Sequence, residues 1–554
     1  MRAAAGGLVA LAALAAGCAA IPDERARPFP INFRLPDEAL RNEPLGAIVF
    51  FVDGVNATIF DEMLRDGRLP NLQKHLVARG FYTARCTAGV PSVTLANETS
   101  FVTGLFPGHH GITGNNWFDR NLVFWRNYEE IRQKNTLDDD YRAATIYERL
   151  PDATTFSLFF QPHRGATKFA ENRISAGPPF FFGLYELVDR IALWRFDLVT
   201  EAARLQGEWP ALVIAYQLAP DMEGYRHGVS SDAYRDAIQH ADAHIGRILR
   251  GIEAAGFLDR LVLAFISDHG LTEVRRHQPM ADFLRKKIGL AVRGETEVTH
   301  ADFMERLRFY QDCSCVYYGG GDRYFALCLR KPKGGAGGAG GAGAAFENWL
   351  ARPSPEDLHA FPTRDGRRVD LIRTFRDEES VDALAYSAGP GRVRVATKRG
   401  TVELERPGER GTAIAYRAVE GADPLGYAAK VPPEMLAGRP FDAQAWLRAT
   451  ADTDYPDLVP QIVAYFEARR AGDIVLFAAP GWDFGRSLKA GHGGLGPEEM
   501  FVPLAMAGPG VPRGQPAAGP VRAVDVAPTL LALLGRPVPT DLDGRSLVPA
   551  WRRP

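Results

Sequence analysis

The sequence GAIVFFVDG, at residues 46–54, is a continuous apolar run that ends in an aspartate and a glycine. A run of this kind is typical of a strand buried on both faces of a parallel sheet. The pattern returns in PALVIAYQLAPD at 210–221 and in DRLVLAFISDHG at 259–270, with helix-like stretches at 59–79 and 232–255. Apolar strands that alternate with helices predict an α/β fold whose sheet is covered by helices on both faces.

An aspartate stands at the C-terminal end of each of these predicted strands. Asp53, Asp221 and Asp268 each stand at the end of an apolar run, and His269 follows Asp268 directly. The carboxyl ends of parallel strands meet at one edge of a sheet, where ligand sites form. Neighbouring side chains of a strand point to opposite faces of the sheet. Gly270 ends the strand, so Asp268 and His269 can both face the same site. Together with His492 in KAGHGGLG, these carboxylates and imidazoles form a donor set suited to zinc.

A second segment, GVPSVTLANETSFVTGLFPGHHGITGNNWFD at residues 89–119, contains a candidate nucleophile. Thr94 precedes an amphipathic stretch of helical spacing, which places its hydroxyl at or near a helix N-terminus. Such an end attracts phosphate, because its N–H groups are unpaired and the helix dipole is positive there. Taken alone, the same position is explained by an ordinary N-cap threonine.

The middle of the chain follows a different pattern. RVRVATKRGTVELER at 392–406 alternates with period two and predicts a β-hairpin, and GGAGGAGGAGAA at 334–345 is a low-complexity linker. We predict a smaller β-containing subdomain at 276–470, inserted between two parts of a catalytic core at 45–275 and 471–554. GDIVLFAAPGWDF and FVPLAMAGPG, in the last part of the chain, are expected to add strands to the α/β sheet.

The N-terminal segment predicts export. Arg2 precedes an apolar run that extends to residue 17, which is too short to span a bilayer and is typical of a signal peptide. The run ends in LAALAAGC and resembles a bacterial lipoprotein signal, although an alanine stands three residues before the cysteine. We predict a signal peptide at 1–17, lipidation of Cys18 and a tether at 18–44. The mature chain would then lack a transmembrane helix and be lipid-anchored, at the outer membrane or in the periplasm; plain secretion is the alternative.

Composition and charge fit a globular protein that acts on a small substrate. With 554 residues, 46% of them hydrophobic and 24% charged, the chain can bury a large core, which excludes a disordered chain or a disulfide miniprotein. Lys and Arg number 65 against 67 Asp and Glu, a net charge of −2, so we expect no binding of nucleic acid polymers by bulk electrostatics. A small phosphate ester needs only local positive charge, such as a metal ion. In an oxidising compartment Cys86 can oxidise and Cys313 or Cys315 could pair with Cys328, but the spacing does not choose between them.

The motifs together resemble the type I phosphodiesterase and nucleotide pyrophosphatase family, in the alkaline phosphatase superfamily. PSVTLAN followed by TGLFPGHHGITGNNWFD is similar to the nucleophile segment of that family. FFVDG, YQLAPDMEGYRHG, SDHG, GHGG and VRAVDVAPTLLALLGRPVPTDLDGRSL also occur in the family's order, and only the middle insertion matches weakly. The resemblance implies an alkaline-phosphatase-like three-layer sandwich with a mostly parallel central sheet and an inserted, smaller β-containing subdomain.

The resemblance also implies a reaction and its cofactors. The family hydrolyses phosphate esters with two divalent metal ions, of which zinc is the first expectation. Asp53, Thr94, Asp268 and His269 match the residues around one zinc ion, and Thr94 matches the nucleophile that forms a phospho-threonine intermediate. Asn97 matches an asparagine that hydrogen-bonds a phosphoryl oxygen.

The second metal site departs from the family pattern. Asp221 and His492 match two of its three protein ligands, but DMEGYRHG places Tyr225 at the usual histidine position and His227 two residues later. Three alternatives follow: His227 replaces the missing ligand, Tyr225 binds as a phenolate, or the second metal is weak or absent. We favour the first of them.

Three further residues are candidates for substrate binding. Tyr216 matches a tyrosine that stacks on a nucleotide base, whereas Leu95 stands where nucleotide-using relatives often have an aromatic residue. Arg164, in QPHRGATKF, is a candidate contact to a substrate phosphate. The leading hypothesis is thus an exported phosphodiesterase or pyrophosphatase. The alternatives are a phosphomonoesterase of the same fold and a catalytically silent, phosphate-binding surface lipoprotein.

Overall fold

The computed structural model of the protein describes residues 46–130, 133–170, 173–294, 302–334, 345–408, 412–514 and 519–551. The predicted signal peptide, the lipidation site at Cys18 and the tether at 18–44 lie outside these residues, as does nearly all of the linker at 334–345. Within the described ranges, every helix is too short or too polar to cross a bilayer.

A central sheet of eight strands organises the chain. In spatial order its strands are Val521–Arg522, Gly80–Thr87, Phe501–Ala507, Leu261–Ile266, Gly46–Val52, Leu212–Gln217, Thr155–Leu158 and Lys168–Ala170. Phe501–Ala507 is antiparallel to both of its neighbours, and all other pairs are parallel. The predicted mostly parallel α/β sheet is confirmed.

Every residue of Gly46–Val52 is buried, and its side chains alternate between two separate cores. Phe50 packs with Phe196 and other helical residues on one face, while Phe51 contacts Phe101 on the other face. Helices therefore cover both faces of the sheet, which explains why this strand lacks the apolar–polar alternation of a half-exposed strand.

The longer helices are Ala57–Arg65, Thr94–Thr103, Arg173–Phe181, Tyr185–Gln206, Ala219–His227, Asp232–Ala254, Phe303–Gln311, Ala443–Thr450, Leu458–Tyr465 and Val526–Leu533. The shorter helices are Pro70–His75, Pro107–His110, Met280–Asp282, Pro355–His359, Leu371–Arg376, Pro497–Met500 and Val548–Trp551, with a π-helix at Phe283–Ile288. The helical stretch predicted over 59–79 is interrupted. Gly67 has a φ of +71°, and Pro70 starts a new helix, where its missing N–H costs nothing.

A second sheet of nine strands takes eight of them from residues 276–470, the segment in which we predicted a β-containing subdomain. In spatial order its strands are Val292–Arg293, Cys315–Gly320, Tyr324–Leu329, Ile474–Ala478, Val381–Gly389, Arg392–Thr397, Gly400–Glu405, Ala413–Glu420 and Ala437–Asp442. The hairpin predicted at 392–406 is confirmed. The apolar run of Ile474–Ala478 was expected in the α/β sheet, but it lies in the middle of this second sheet. An apolar run indicates burial on both faces, and it does not indicate in which of two sheets the strand is buried.

The shorter two-stranded pairs are Asn116–Asp119 with Phe124–Asn127, Thr272–Glu273 with Ala490–Gly491, Arg276–His277 with Trp482–Asp483, and Phe361–Pro362 with Arg368–Val369. The first of these pairs lies close to the site described below.

The cysteines of the second sheet are buried free thiols. Cys315 faces Leu329 and Val316 faces Cys328 across two antiparallel strands, so Cys315 and Cys328 point to opposite faces. They pack into different cores, and a disulfide between them would require one strand to shift by a residue.

His109, in the short helix Pro107–His110, contacts two carboxylates from distant parts of the chain. Its Nδ1 lies 2.7 Å from Asp543 Oδ2, and its Nε2 lies 3.4 Å from Glu467 Oε2. Burial alone would lower the pKa of His109, but the two carboxylates raise it to about 10. The imidazolium therefore stabilises the fold fully below its unfolded pKa of about 6.5, and this contribution is lost as pH rises toward 10.

We expect His109→Gln to lower the free energy of unfolding by about 1 kcal/mol at pH 6, a modest value because the side chain is partly exposed. The difference between variant and wild type should shrink steadily from about pH 6.5 to pH 10. Urea denaturation at pH 6, 8 and 10 measures it. A difference that is the same at all three values would contradict the ionic role of His109.

Candidate active site

The candidate site lies at the carboxyl edge of three neighbouring parallel strands. The strand before Asp53 pairs on one side with the strand that precedes Asp221 and on the other side with the strand that precedes Asp268 and His269. The topology therefore gathers at one edge four side chains that are far apart in sequence. This is the placement predicted from the apolar runs.

A glycine allows two of these segments to converge. Gly54 has a φ of +67°, and a Cβ at this position would lie 2.7 Å from the Cβ of Asp221. Any other residue would be strained by the backbone angle and would also collide with Asp221. The glycine after Asp53 is thus required for the close approach of the two carboxylates.

One group of donors contains Asp53, Asp268 and His269. Their ligand atoms all lie within 4.8 Å of one another, and all three residues are buried. The Nε2 atom of His269 lies 3.1 Å from Asp268 Oδ2 and 3.4 Å from Asp53 Oδ1. The hydroxyl of Thr94 joins this group, because its Oγ1 lies 3.1 Å from the same Nε2.

The helix Thr94–Thr103 begins at Thr94, as predicted. Its N-cap residue is Val93, which makes no side-chain capping bond, so Thr94 is the first helical residue and not an N-cap threonine. The hydroxyl faces the carboxylate and imidazole group instead. The alternative that explained Thr94 as an ordinary cap is wrong.

A second group of donors contains Asp221, His269 and His492, again within 4.8 Å and buried. The rings of His269 and His492 stack with centroids 3.5 Å apart and planes 11° apart. His269 thus belongs to both groups.

Burial disfavours the charged forms of Asp53, Asp221 and His492, whereas Asp268 and His269 stabilise each other's charged forms. Burial raises the pKa of Asp53 well above its ordinary value, and the carboxylates of Asp268 and Asp221 raise it further. Burial likewise raises the pKa of Asp221 to about 7, against the lowering effect of His269. Burial lowers the pKa of His492, and the neighbouring His269 adds to that effect.

Three buried carboxylate oxygens in the site accept no well-aligned hydrogen bond within the described part of the chain: Asp53 Oδ1, Asp221 Oδ1 and Asp268 Oδ2. The first and the last of them have only the imidazole of His269 nearby. Unpaired buried carboxylate oxygens are costly, and a divalent cation is the group that satisfies them. Carboxylate oxygen and imidazole nitrogen are also the donors that zinc prefers besides thiolate. The residues present therefore fit divalent cations.

Ser92 connects the nucleophile loop to the loop that carries His492. Its carbonyl oxygen lies 2.7 Å from His492 Nδ1, and its hydroxyl accepts from Gly493 N and donates to Gly494 O. With Nδ1 donating to this carbonyl, Nε2 is the unprotonated atom that is left for a ligand role. Glu499 supports the same loop by accepting from Gly494 N at 2.8 Å. Sequence reasoning did not identify Ser92, because a serine in a loop carries no signal of its partner.

Asn97 and Leu95 lie next to Thr94 but make other contacts than predicted. The amide nitrogen of Asn97 donates to the carbonyls of Pro91 and Val93, and its oxygen accepts from Gly89 N, so the side chain shapes the loop before Thr94. Its predicted hydrogen bond to a phosphoryl oxygen would require exchange of one of these bonds. Leu95 is only 7% exposed and packs in the core beside the second sheet, not in an open pocket.

Tyr216 and Arg164 also differ from their predicted roles. The hydroxyl of Tyr216 donates to Asp53 Oδ2, so this side chain contacts a candidate metal ligand. Arg164 uses all five N–H groups within the protein, on Glu148 and on the carbonyls of Asp138, Tyr141 and Ala143. The predicted contact of Arg164 with a substrate phosphate is therefore wrong, because no donor is left for it.

Tyr225 and His227 have different surroundings, the first beside His492 and the second at the surface. The Tyr225 ring lies 5.7 Å from the His492 ring, between centroids, and faces the site. The side chain of His227 is 46% exposed, and its Nε2 lies 3.4 Å from Glu223 Oε2. Position 225 follows Asp221 by four residues and shares its helix face, whereas position 227 points to another face. The favoured prediction, replacement of the missing ligand by His227, is wrong.

A cleft of about 530 Å³ opens beside Tyr225. The second sheet and the hairpin after the nucleophile helix supply most of its walls, which include Asn116, Trp125, Asn127, Tyr317, Asp322 and Phe484. These residues were not identified from the sequence, because they come from separate segments of the chain and no local pattern shows that folding brings them together. The inserted subdomain thus forms part of the wall next to the donor groups.

The chain is similar in sequence to known phosphodiesterases and pyrophosphatases. A sequence model of the family described as type I phosphodiesterase / nucleotide pyrophosphatase matches residues 47–314. An uncharacterized pyrophosphatase/phosphodiesterase of Schizosaccharomyces pombe is 28% identical over 226 residues, which cover 40% of this chain and 44% of the relative. A venom phosphodiesterase of Macrovipera lebetinus is 26% identical over 344 residues, 60% of this chain and 36% of the relative.

The fold has solved counterparts. The structure of murine ectonucleotide pyrophosphatase / phosphodiesterase 5 superposes with a TM-score of 0.53 at 14% identity, covering 89% of this chain and 96% of that one. This likeness concerns the fold alone. The chain spans less than half the length of the two curated relatives described above.

Proposed function

Because the chain belongs to the type I phosphodiesterase/nucleotide pyrophosphatase family of the alkaline phosphatase superfamily, we propose that it is a metal-dependent phosphoric ester hydrolase of phosphodiesterase or pyrophosphatase type, with Thr94 as its nucleophile. The observation that carries the proposal is the position of the Thr94 hydroxyl, 3.1 Å from His269 Nε2 within the buried Asp53, Asp268 and His269 group.

The chemistry follows from the residues present. Bound cations would favour the alkoxide of Thr94, neutralise the phosphate and stabilise the leaving oxygen. Thr94 Oγ1 would lose its proton to solvent and form a bond to phosphorus while the bond to the leaving oxygen breaks, which gives a phospho-threonine. The leaving oxygen would take up a proton from solvent. Water would then cleave the new bond and restore the hydroxyl. The first turn of the helix Thr94–Thr103 favours the negative charge of the phosphoryl group.

The cleft favours a diester over a monoester. Its volume of about 530 Å³ is lined by Tyr225 and Asp322, which both contact His492, and it can take a second ester substituent, which a monoester lacks. We therefore expect the enzyme to hydrolyse bis(p-nitrophenyl) phosphate with a kcat/KM at least about tenfold above that for p-nitrophenyl phosphate. Chelation with EDTA should remove both activities, and added zinc should restore them.

Three outcomes of this assay separate the alternatives. A preference for the monoester would favour a phosphomonoesterase of the same fold. Absence of turnover with any ester, together with absence of bound metal, would favour a catalytically silent phosphate-binding surface protein. Full activity in EDTA would contradict the metal dependence.

We also propose that the protein is exported and anchored by a lipid at Cys18. This part rests on the pattern of residues 2–18 alone.

A further inference from the structure

The two candidate cation positions have unequal numbers of donors. Asp53, Asp268 and His269 surround one position, and the hydroxyl of Thr94 reaches the same imidazole. If His269 serves that position, only Asp221 and His492 are left for the other. Zinc sites in enzymes have three protein ligands as a rule, so the second position is one ligand short.

In the described part of the chain, no neighbouring donor supplies the missing third ligand of the second position. Asp221 forms a donor group with His269 and His492, whose ligand atoms all lie within 4.8 Å of one another. Among the described residues, no other carboxylate belongs to that group. His227 is held at the surface beside Glu223. The side chain that lies beside Asp221 and His492 is Tyr225, four residues after Asp221 on the same helix and with its ring centroid 5.7 Å from that of His492. A tyrosine phenol is not among the usual zinc ligands.

We propose that this protein holds one divalent cation tightly, at Asp53, Thr94, Asp268 and His269, and a second cation weakly and exchangeably at Asp221 and His492, because Tyr225 occupies the position of the third ligand. The inference rests on the proposed function, since it concerns the cations of the same site. It goes further by attributing the difference in affinity between the two cation positions to Tyr225.

The helix geometry suggests a direct test by gain of binding. Residues 221 and 225 are four apart in the helix Ala219–His227 and share one face, the spacing at which two side chains can ligate one ion. We therefore expect Tyr225→His to complete the second position. The full chain is loaded with zinc and dialysed against a weak chelator, and its metal content is measured by plasma mass spectrometry. Calorimetric titration with zinc alone then gives the affinity of the second ion.

The wild type should retain one zinc ion, and its second ion should bind at least about 100-fold more weakly than the first. Tyr225→His should retain two ions. Tyr225→Phe and His227→Ala should both keep the wild-type stoichiometry and the wild-type affinity for the second ion, because neither side chain is a ligand.

Several results would overturn the inference. Two tightly held ions in the wild type would do so while leaving the proposed function intact. A weaker second ion in Tyr225→Phe or in His227→Ala would identify that side chain as the third ligand. Absence of any tight ion from every variant would instead contradict the proposed function. If Tyr225→His does not fold, the wild type and the other two variants still decide the question.

Discussion

Thr94→Ala abolishes ester hydrolysis and leaves the bound metal in place: this is the expected result with the largest effect. The variant loses the hydroxyl together with the γ-methyl group, whereas Asp53, Asp268 and His269 keep their oxygen and nitrogen donors. We expect kcat for bis(p-nitrophenyl) phosphate to fall at least about 10⁴-fold, the scale of losing a covalent nucleophile. The tight metal ion should remain, as measured by plasma mass spectrometry on the same sample.

Thr94→Ser is the matched control, because it keeps a hydroxyl at the same atom position. It should retain measurable turnover and, after rapid quenching, a phosphorylated enzyme that Thr94→Ala cannot form. Turnover by Thr94→Ala at the wild-type rate would show that another group attacks phosphorus. Loss of the metal together with the activity would show that Thr94 is mainly a ligand.

Asp53→Asn should remove the tight metal ion without destabilising the metal-free fold. Burial and the carboxylates of Asp268 and Asp221 raise the pKa of Asp53, so a neutral amide at this position relieves repulsion in the metal-free protein. The hydroxyl of Tyr216, which donates to Asp53, can donate to the amide oxygen in the same way. Activity should fall at least about 10³-fold because the nucleophile loses its cation.

The measurement that separates this effect from misfolding is the melting temperature with and without zinc. Zinc should raise the melting temperature of the wild type, since a ligand that binds only the folded state stabilises it, and should have little effect on Asp53→Asn. The exposed Asp66, at the end of a surface helix, provides the control: Asp66→Asn should keep the activity, the metal and the response to zinc. An Asp53→Asn variant with full metal content would contradict the ligand role.

The corrections at the second metal position have one physical cause. From the sequence, His227 was the natural substitute for a missing histidine, because it is only two residues from Tyr225. On a helix, two residues correspond to roughly 200° of rotation, so the two side chains leave on different faces. Proximity in sequence is therefore a poor guide to ligation inside a helix, whereas a separation of four residues is a good one.

For a related reason, the sequence did not show that the N–H groups of Arg164 and Asn97 are bonded within the protein. Their residue types are right for phosphate, but their N–H groups are already bonded inside the protein. A sequence contains the inventory of donors and acceptors. It does not contain the partners that use them, because those partners, such as Glu148 for Arg164, are brought near by folding.

By itself, the sequence determined the α/β class, the strand ends that carry Asp53, Asp221 and Asp268, and the helix start at Thr94. These features are local, because an apolar run, a carboxylate at its end and a helical period can each be recognised within one short segment of sequence. Only the tertiary structure decided that Ile474–Ala478 belongs to the second sheet, that Ser92 orients His492 and that Tyr225, not His227, lies beside His492. Each of these depends on the distance between segments far apart in the chain, which is set by how the sheets pack and not by any pattern within one segment.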